Sequence, residues 1–314
     1  MRFFVFNGDA DGLCALQQLH LAEGVDPAGL VTGPKRHTQL LAHVSARAGD
    51  VVTVLDVSLH SNRMDVERLL ADGARVRYFD HHHAGELPAH ERLEAHIDTS
   101  PTICTSVIVD RYLNGQHRAW AAVGAYGDNL AEIGKSLVDS PALENLGILL
   151  NYNSYGETEA DLFFPPAELH RRLASYENPL DFTRDPAYGT LETGYGEDMA
   201  QVDSLRPVAL VPHAALYVLP DEPWARRVSG TLANRLARGE PGRAHAILSP
   251  NRAGGMQVSV RAPLERPSGC AALCLEFPTG GGREGAAGIN HLPLESVDAF
   301  AERFIRHFGT GSTR

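Results

Sequence analysis

Apolar and polar positions set up two alternating rhythms over the first 115 residues. Short runs with strand character, Arg2 to Phe6 (RFFVF), Val51 to Leu55 (VVTVL) and Arg75 to Phe79 (RVRYF), are separated by stretches whose apolar positions recur with helical spacing. Gly12 to Glu23 carries Leu13, Leu16 and Leu19 in that spacing, and His37 to Ala48 and Asn62 to Ala71 read as further helices, the latter capped by Ser61 or Asn62. Thr105 to Leu113 and Trp120 to Leu130 also read as helical. Strands alternating with helices predict a parallel sheet covered on both faces.

Each strand-like run delivers acidic or imidazole groups where it ends. Asn7-Gly8-Asp9-Ala10-Asp11 follows the first, Asp56 the second and Asp80-His81-His82-His83 the third, with Asp98 and Asp128 further on. Ligands of open α/β sheets collect outside the carboxyl ends of the strands. Carboxylates mixed with one or two imidazoles suit Mn²⁺, Mg²⁺ or Fe²⁺ better than structural zinc. Taken one at a time, each group has a plainer reading. Asp9 and Asp11 can cap the helix after them, Asp56 can be a strand-end cap, and Asp128 after Gly127 can be a helix C-cap. It is their joint occurrence that favours a metal site.

The rhythm weakens between Asp139 and Asp203, where Pro165-Pro166, Pro179, Pro186 and several glycines fall. A second alternating block starts near Val211, with strand-like Ala214 to Leu219, Ala244 to Leu248 and Met256 to Arg261. Helical Ala225 to Ala237 and Phe300 to Phe308 accompany them. The expected organisation is a domain over 1–185, a linker over 186–210 and a smaller α/β domain over 211–314. The second block holds Gly280 to Gly288 (GGGREGAAG). Its glycines would let backbone amides approach an anion. Arg283, with Arg261 on a nearby strand, would add guanidinium donors.

Composition narrows the choice of ligand. The chain has 314 residues, 43% hydrophobic and 21% charged, an ordinary globular balance. Against 28 Lys and Arg stand 39 Asp and Glu, a formal charge of −11. That disfavours duplex DNA, whose affinity rests on phosphate contacts, and favours a small or short anionic ligand in a local positive pocket. The four cysteines, Cys14, Cys104, Cys270 and Cys274, form no CxxC pair, and no run reaches the ~18 apolar residues of a membrane span. A reduced, cytoplasmic protein is expected, and oligomeric state is left open.

The motifs resemble those of the DHH phosphoesterases. NGDADG at 7–12, LD at 55–56, DHH at 80–82 and GDN at 127–129 are similar to that family's four motifs, and GGGREGAAG resembles the glycine-rich signature of the DHHA1 domain that follows them. The resemblance implies a parallel-sheet catalytic lobe, a smaller substrate-gripping lobe and a divalent centre of one or two ions, usually Mn²⁺, with Mg²⁺ or Co²⁺ as substitutes. It implies Asn7, Asp9, Asp11, Asp56, His81 and Asp128 as ligands, with Asp56 bridging. His82 would face the scissile phosphate, Asp80 would support it, and Gly281, Gly282, Arg283 and Arg261 would grip the substrate.

Two positions depart from the family pattern. Asn7 stands where the family usually has a His ligand, so the first ion is expected to be held loosely. Arg283 stands where the family usually has His. The expected activity is hydrolysis of a phosphodiester or phosphomonoester of a short oligonucleotide or small nucleotide by in-line attack of a metal-activated water. The alternatives are a nucleotide-binding sensor with little turnover and a polyphosphate hydrolase.

Overall fold

Five strands run parallel: β1 (Arg2–Asn7), β2 (Leu30–Gly33), β3 (Val51–Leu55), β4 (Arg75–Asp80) and β5 (Leu93–Ile97), in the order β2-β1-β3-β4-β5. The computed structural model describes residues 1–25 and 27–309. It separates into two units, Met1–Tyr195 and Gly196–Arg314. In the first, the chain leaves β1 for β2 on one side and then returns to β3 on the other, so the strand order reverses at β1. That is the switch point where sheets of this kind open a crevice. The register levels the strand ends, with Asn7 opposite Gly33, Phe6 opposite Leu55 and Leu55 opposite Phe79. Residues just past β1, β2, β3 and β4 therefore emerge together at one edge.

Helices cover both faces. They are α1 (Ala10–Glu23), α2 (Leu59–Ala71), α3 (Thr105–Tyr112), α4 (Arg118–Gly127), α5 (Ala131–Leu137), α6 (Pro141–Asn153), α7 (Pro166–Leu173), α8 (Pro179–Phe182) and α9 (Pro186–Ser204). Alternate strand residues serve opposite faces. Phe4, Phe6, Leu55 and Phe79 pack with α1, α3, α4, α6 and α7. Val5, Val52, Val54, Val76 and Tyr78 pack with α2 and the segment around Leu40 and Leu41.

Two expectations differ from this picture. The helix expected over His37 to Ala48 is one short 3-10 turn, Leu40–His43, because buried Leu40, Leu41, Val44 and Ala46 anchor the segment with Val44 already extended. Ser58, not Ser61 or Asn62, caps α2, its Oγ accepting from the Ser61 N–H. Asn62 is buried and ties α2 to the preceding segment, donating to Thr38 O at 2.6 Å and accepting from the Leu41 N–H at 3.3 Å. Within the stretch 186–210, α9 runs as far as Ser204. Pro186 opens α9, where a missing N–H costs nothing, and Leu191 is buried in the first unit's core.

The second unit holds β6 (Ala209–Val211), β7 (Ala214–Val218), α10 (Pro223–Gly239), β8 (Ala244–Pro250), β9 (Met256–Arg261), α11 (Cys270–Leu275), β10 (Gly280–Arg283), β11 (Ala286–Leu292) and α12 (Val297–Phe308). Its sheet runs β10-β11-β9-β8-β7-β6 and is antiparallel except where β7 meets β8. Ala246, Leu248, Val258 and Val260 pack with Leu273, Phe300 and Phe304 of α11 and α12. All four cysteines are free and buried. No helix among the described residues is long and apolar enough to cross a membrane.

Candidate metal centre

The turn after β1 is built for close approach. Asp9 caps α1, its Oδ1 accepting from the Asp11 and Gly12 N–H groups at 3.1 Å each. A Cβ at Gly12 would lie 2.1 Å from Asn7 O, so only glycine lets the helix start that near the strand. Asp11 lies in the first turn of α1 and reaches across to α3. Its two oxygens accept from the Thr105 and Ser106 N–H groups at 2.7 Å each. It thereby caps a helix whose own N-cap residue, Cys104, offers no side-chain bond. The carboxylate serves as the cap because a negative charge beside a helix N-terminus is favoured.

Asp56 follows β3 with φ of 58°, in the left-handed region, and is buried. Strain of this kind persists where surrounding contacts fix it, and it clusters at functional sites. Thr105 Oγ1 donates to Asp56 Oδ1 at 3.2 Å. Asp128 ends α4 as its C-cap residue.

These groups meet at His81. Its Nε2 lies 3.3 Å from Asp56 Oδ1, 3.8 Å from Asp128 Oδ2 and 4.0 Å from Asp11 Oδ2. Its Nδ1 lies 3.0 Å from the Ile103 carbonyl, which can only accept. The proton therefore sits on Nδ1 of the neutral ring and Nε2 presents a lone pair, as metal-ligating histidines are usually oriented. Ligand atoms of Asp11, His81 and Asp128 converge, as do those of Asp56, His81 and His82. An imidazole nitrogen among three carboxylates is a hard donor set and fits one divalent cation.

Beside it, His82 Nδ1 lies 2.7 Å from Asp80 Oδ1, which also accepts from the His81 N–H at 2.9 Å. Asp80 is fully buried, whereas the His82 side chain is 42% exposed. The bond to Asp80, with that carboxylate's charge, raises the His82 pKa against the opposing effect of burial.

Lys35, two residues past β2, also enters the cluster. Its Nζ lies 2.5 Å from Asp9 Oδ2, 3.4 Å from Asn151 Oδ1 and 3.8 Å from Asp128 Oδ1. Burial pushes the Asp9 carboxyl up, but the charge and hydrogen bond of Lys35 outweigh it and hold Asp9 below its ordinary value. Burial acts on Lys35 in the opposite sense, and Asp9, Tyr155 and Asp128 together keep its pKa raised. The pull of Lys35 is too weak to prevail at Asp56. Burial and the charges of Asp9, Asp11 and Asp80 push it well up. Asp128 is pushed up to about 7 by burial, Asp11 and Asp9, against the pull of Lys35 and His81. Carboxyls this reluctant to ionise beside one another are released by a cation.

Comparison with known proteins bears on the fold. No family model matches the sequence, and no curated protein matches it. Among solved structures, exonuclease RecJ bound to manganese is similar, with a TM-score of 0.62 at 17% identity over 96% of this chain and 89% of that one. RecJ from Thermus thermophilus in complex with Mn²⁺ gives 0.61 at 19% identity, over 96% of this chain and 51% of that one. The pGpG-specific phosphodiesterase PggH from Vibrio cholerae gives 0.61 at 15% identity, over 97% of each chain. The chain shares the fold of these structures. Three of the four sequence motifs follow strand ends of the parallel sheet, and Asp128 joins them from the end of α4.

The structure brings together Asp9, Asp11, Asp56, Asp80, His81, His82 and Asp128. Asn7 ends β1 and its buried Oδ1 has no hydrogen-bond partner. Asp98 donates its backbone N–H to Asp80 O at 3.2 Å, but its side chain turns to the Ser100 N–H and to Arg111 and is not among the converging ligand atoms. Sequence reasoning passed over Lys35, Thr105 and the Ile103 carbonyl. The only signal for Lys35 was its place just after a four-residue strand that was itself not read.

In the second unit the glycine block is a β-hairpin and not a loop. Gly280 to Arg283 pairs with Ala286 to Ile289. A Cβ at Gly282, with φ of 136°, would lie 2.5 Å from Ala287 Cα, whereas the same position at Gly281 faces open space. Arg283 and Arg261 both pair with Ala286, from opposite sides. Arg261 is held by Asn234 Oδ1 at 3.1 Å and Ser259 Oγ at 3.2 Å. Burial, offset in part by Cys270, and the charge of Arg283 lower its pKa. Two guanidiniums sharing one strand position form a local positive patch.

Proposed function

We propose that the protein is a divalent-metal-dependent phosphoesterase that hydrolyses phosphodiester bonds of short oligonucleotides or linear dinucleotides. The observation that carries this reading is the convergence of Asp11, Asp56 and Asp128 on His81 Nε2, beside an Asp80–His82 pair. Binding alone has no use for so many carboxylates around an anion. The Mn²⁺-bound RecJ structures and the phosphodiesterase PggH, of the same fold, support manganese and a nucleotide substrate.

Asp11, Asp56, His81 and Asp128 would hold the ion, which supplies Lewis acidity and lowers the pKa of water. His82 is positioned for the other half of the chemistry. Its Nδ1 is engaged by Asp80, so its exposed side can present Nε2–H to a phosphoryl or leaving oxygen. The bond to Asp80 and its charge favour the protonated ring by raising the His82 pKa. In the second unit, Arg283, Arg261 and the open backbone at Gly281 suit an anionic or base-bearing group. The charge of −11 favours short ligands over duplex DNA.

Phosphate-ester cleavage should vanish in chelator and return best with Mn²⁺, on both a chromogenic diester and a 5′-phosphorylated dinucleotide. Asp56→Asn, which tolerates the left-handed backbone, should be inactive with an unchanged circular dichroism spectrum. Full activity in chelator would refute the reading.

A further inference from the structure

The centre around His81 accounts for one ion, and Asp9 takes no part in it. Both Asp9 oxygens are engaged within the chain. Oδ1 accepts two backbone N–H groups of α1, and Oδ2 meets the Lys35 ammonium at 2.5 Å. Asp9 belongs to neither group of side chains whose ligand atoms converge, although it is buried beside them. The ammonium also reaches Asn151 Oδ1 at 3.4 Å and Asp128 Oδ1 at 3.8 Å, so Lys35 neutralises the side of the cluster that faces away from His81.

Lys35 is anchored there by more than its charge. Its backbone N–H donates to Ser154 O at 3.1 Å. Asn151 donates its amide to Tyr155 Oη at 2.7 Å, which leaves its oxygen for the ammonium. Pro34 precedes it, fixing the exit from β2. Asn7, on the same strand end as Asp9, offers an amide oxygen in place of the imidazole that the family motif would carry there.

We propose that the Lys35 ammonium is a built-in cation that replaces one ion of a two-ion centre, so that this chain works with a single divalent ion held by Asp11, Asp56, His81 and Asp128. The proposal rests on the metal-centre reading given above. An ammonium on Asp9 and a divalent ion sharing Asp9 would be like charges a few ångströms apart in a buried site, and the covalently attached one is always present. Replacing imidazole by an amide at Asn7 removes a strong ligand from the same position. The ammonium can donate hydrogen bonds to a phosphoryl oxygen, so the centre keeps its positive charge toward the substrate.

The test is stoichiometry, not activity. The full chain, stripped with chelator and dialysed, is titrated with Mn²⁺ alone by calorimetry and followed by electron paramagnetic resonance. The wild type should bind one Mn²⁺ per chain and show the spectrum of an isolated ion. Lys35→Ala combined with Asn7→His should bind two and show a spin-coupled spectrum. Two ions in the wild type with affinities within tenfold of one another would overturn the proposal while leaving the metal-centre reading intact. One ion in the folded double variant would overturn it as well. No ion in the wild type would remove the metal-centre reading, and the proposal with it.

Discussion

Asp128 offers a quantitative test of how strongly the carboxylates oppose one another. Burial, Asp11 and Asp9 push it from 3.8 to about 7. A raised acid binds its proton more readily in the folded chain than in the unfolded one, so between pH 4 and 7 the folded state holds more protons and stability falls as pH rises. At about 1.4 kcal/mol per pH unit, the window from pH 5 to 7 is worth roughly 2–3 kcal/mol. For a unit of this size that is about 5–10 °C in melting temperature.

The whole protein will not show the slope directly. His170 is lowered to about 3 by burial, His20 and Arg171, and it gains stability as pH rises through the same window. His20, lowered by burial, acts in the same sense. His82, raised by Asp80, acts with Asp128. The comparison that isolates Asp128 is therefore wild type against Asp128→Asn in chelator. The variant's advantage should grow by roughly 2–3 kcal/mol between pH 5 and 7. Saturating Mn²⁺ should invert the order, because an ion at a hundred times its dissociation constant adds about 2.7 kcal/mol to the form that binds it. Thermal melts at five pH values, with and without Mn²⁺, read both effects. A gap that stays constant or shrinks with pH in chelator would refute the electrostatic account.

Two further expectations concern turnover. Asp80→Asn should lower kcat about ten- to hundredfold and move the alkaline limb of its pH profile to lower pH, since Asp80 is what raises His82. An unmoved limb would show that His82 does not titrate in the reaction. Arg283→Ala should cut kcat/KM for a 5′-phosphorylated dinucleotide about ten- to hundredfold, the value of a charge-assisted contact of roughly 1.5–3 kcal/mol. It should spare a small chromogenic diester, and equal losses on both would place Arg283 elsewhere in the mechanism.

Much of the centre was legible because a parallel sheet translates sequence position into place. A run such as VVTVL that ends in Asp56 fixes where Asp56 emerges once its neighbours' register is level, and the same holds for Asp80 and the Asp9–Asp11 pair. What was illegible depended on short or irregular elements. β2 has four residues, its apolar content is slight, and Lys35 rides on it. The strand character of the GGGREGAAG block was not legible because glycine carries no strand preference, whereas pairing with β11 and β9 decides its state.

The plainer readings of these motifs proved to be part of the chemistry. Asp9 does cap α1, and Asp11 does cap a helix, though not its own. The capping consumes lone pairs, and what each carboxylate has left decides its role. Asp9 spends one oxygen on two amides and the other on an ammonium, so it carries charge balance and little ligand capacity. Asp11 spends both oxygens on α3 yet keeps a lone pair on each, and one of them lies within 4.0 Å of His81 Nε2. Asp56 spends one oxygen on Thr105, and burial beside like charges pushes its pKa well up. A cation placed at His81 relieves the cost of that burial at Asp56 and Asp128 together. The same burial and charge that destabilise the carboxylates without an ion are therefore what would give the ion its affinity.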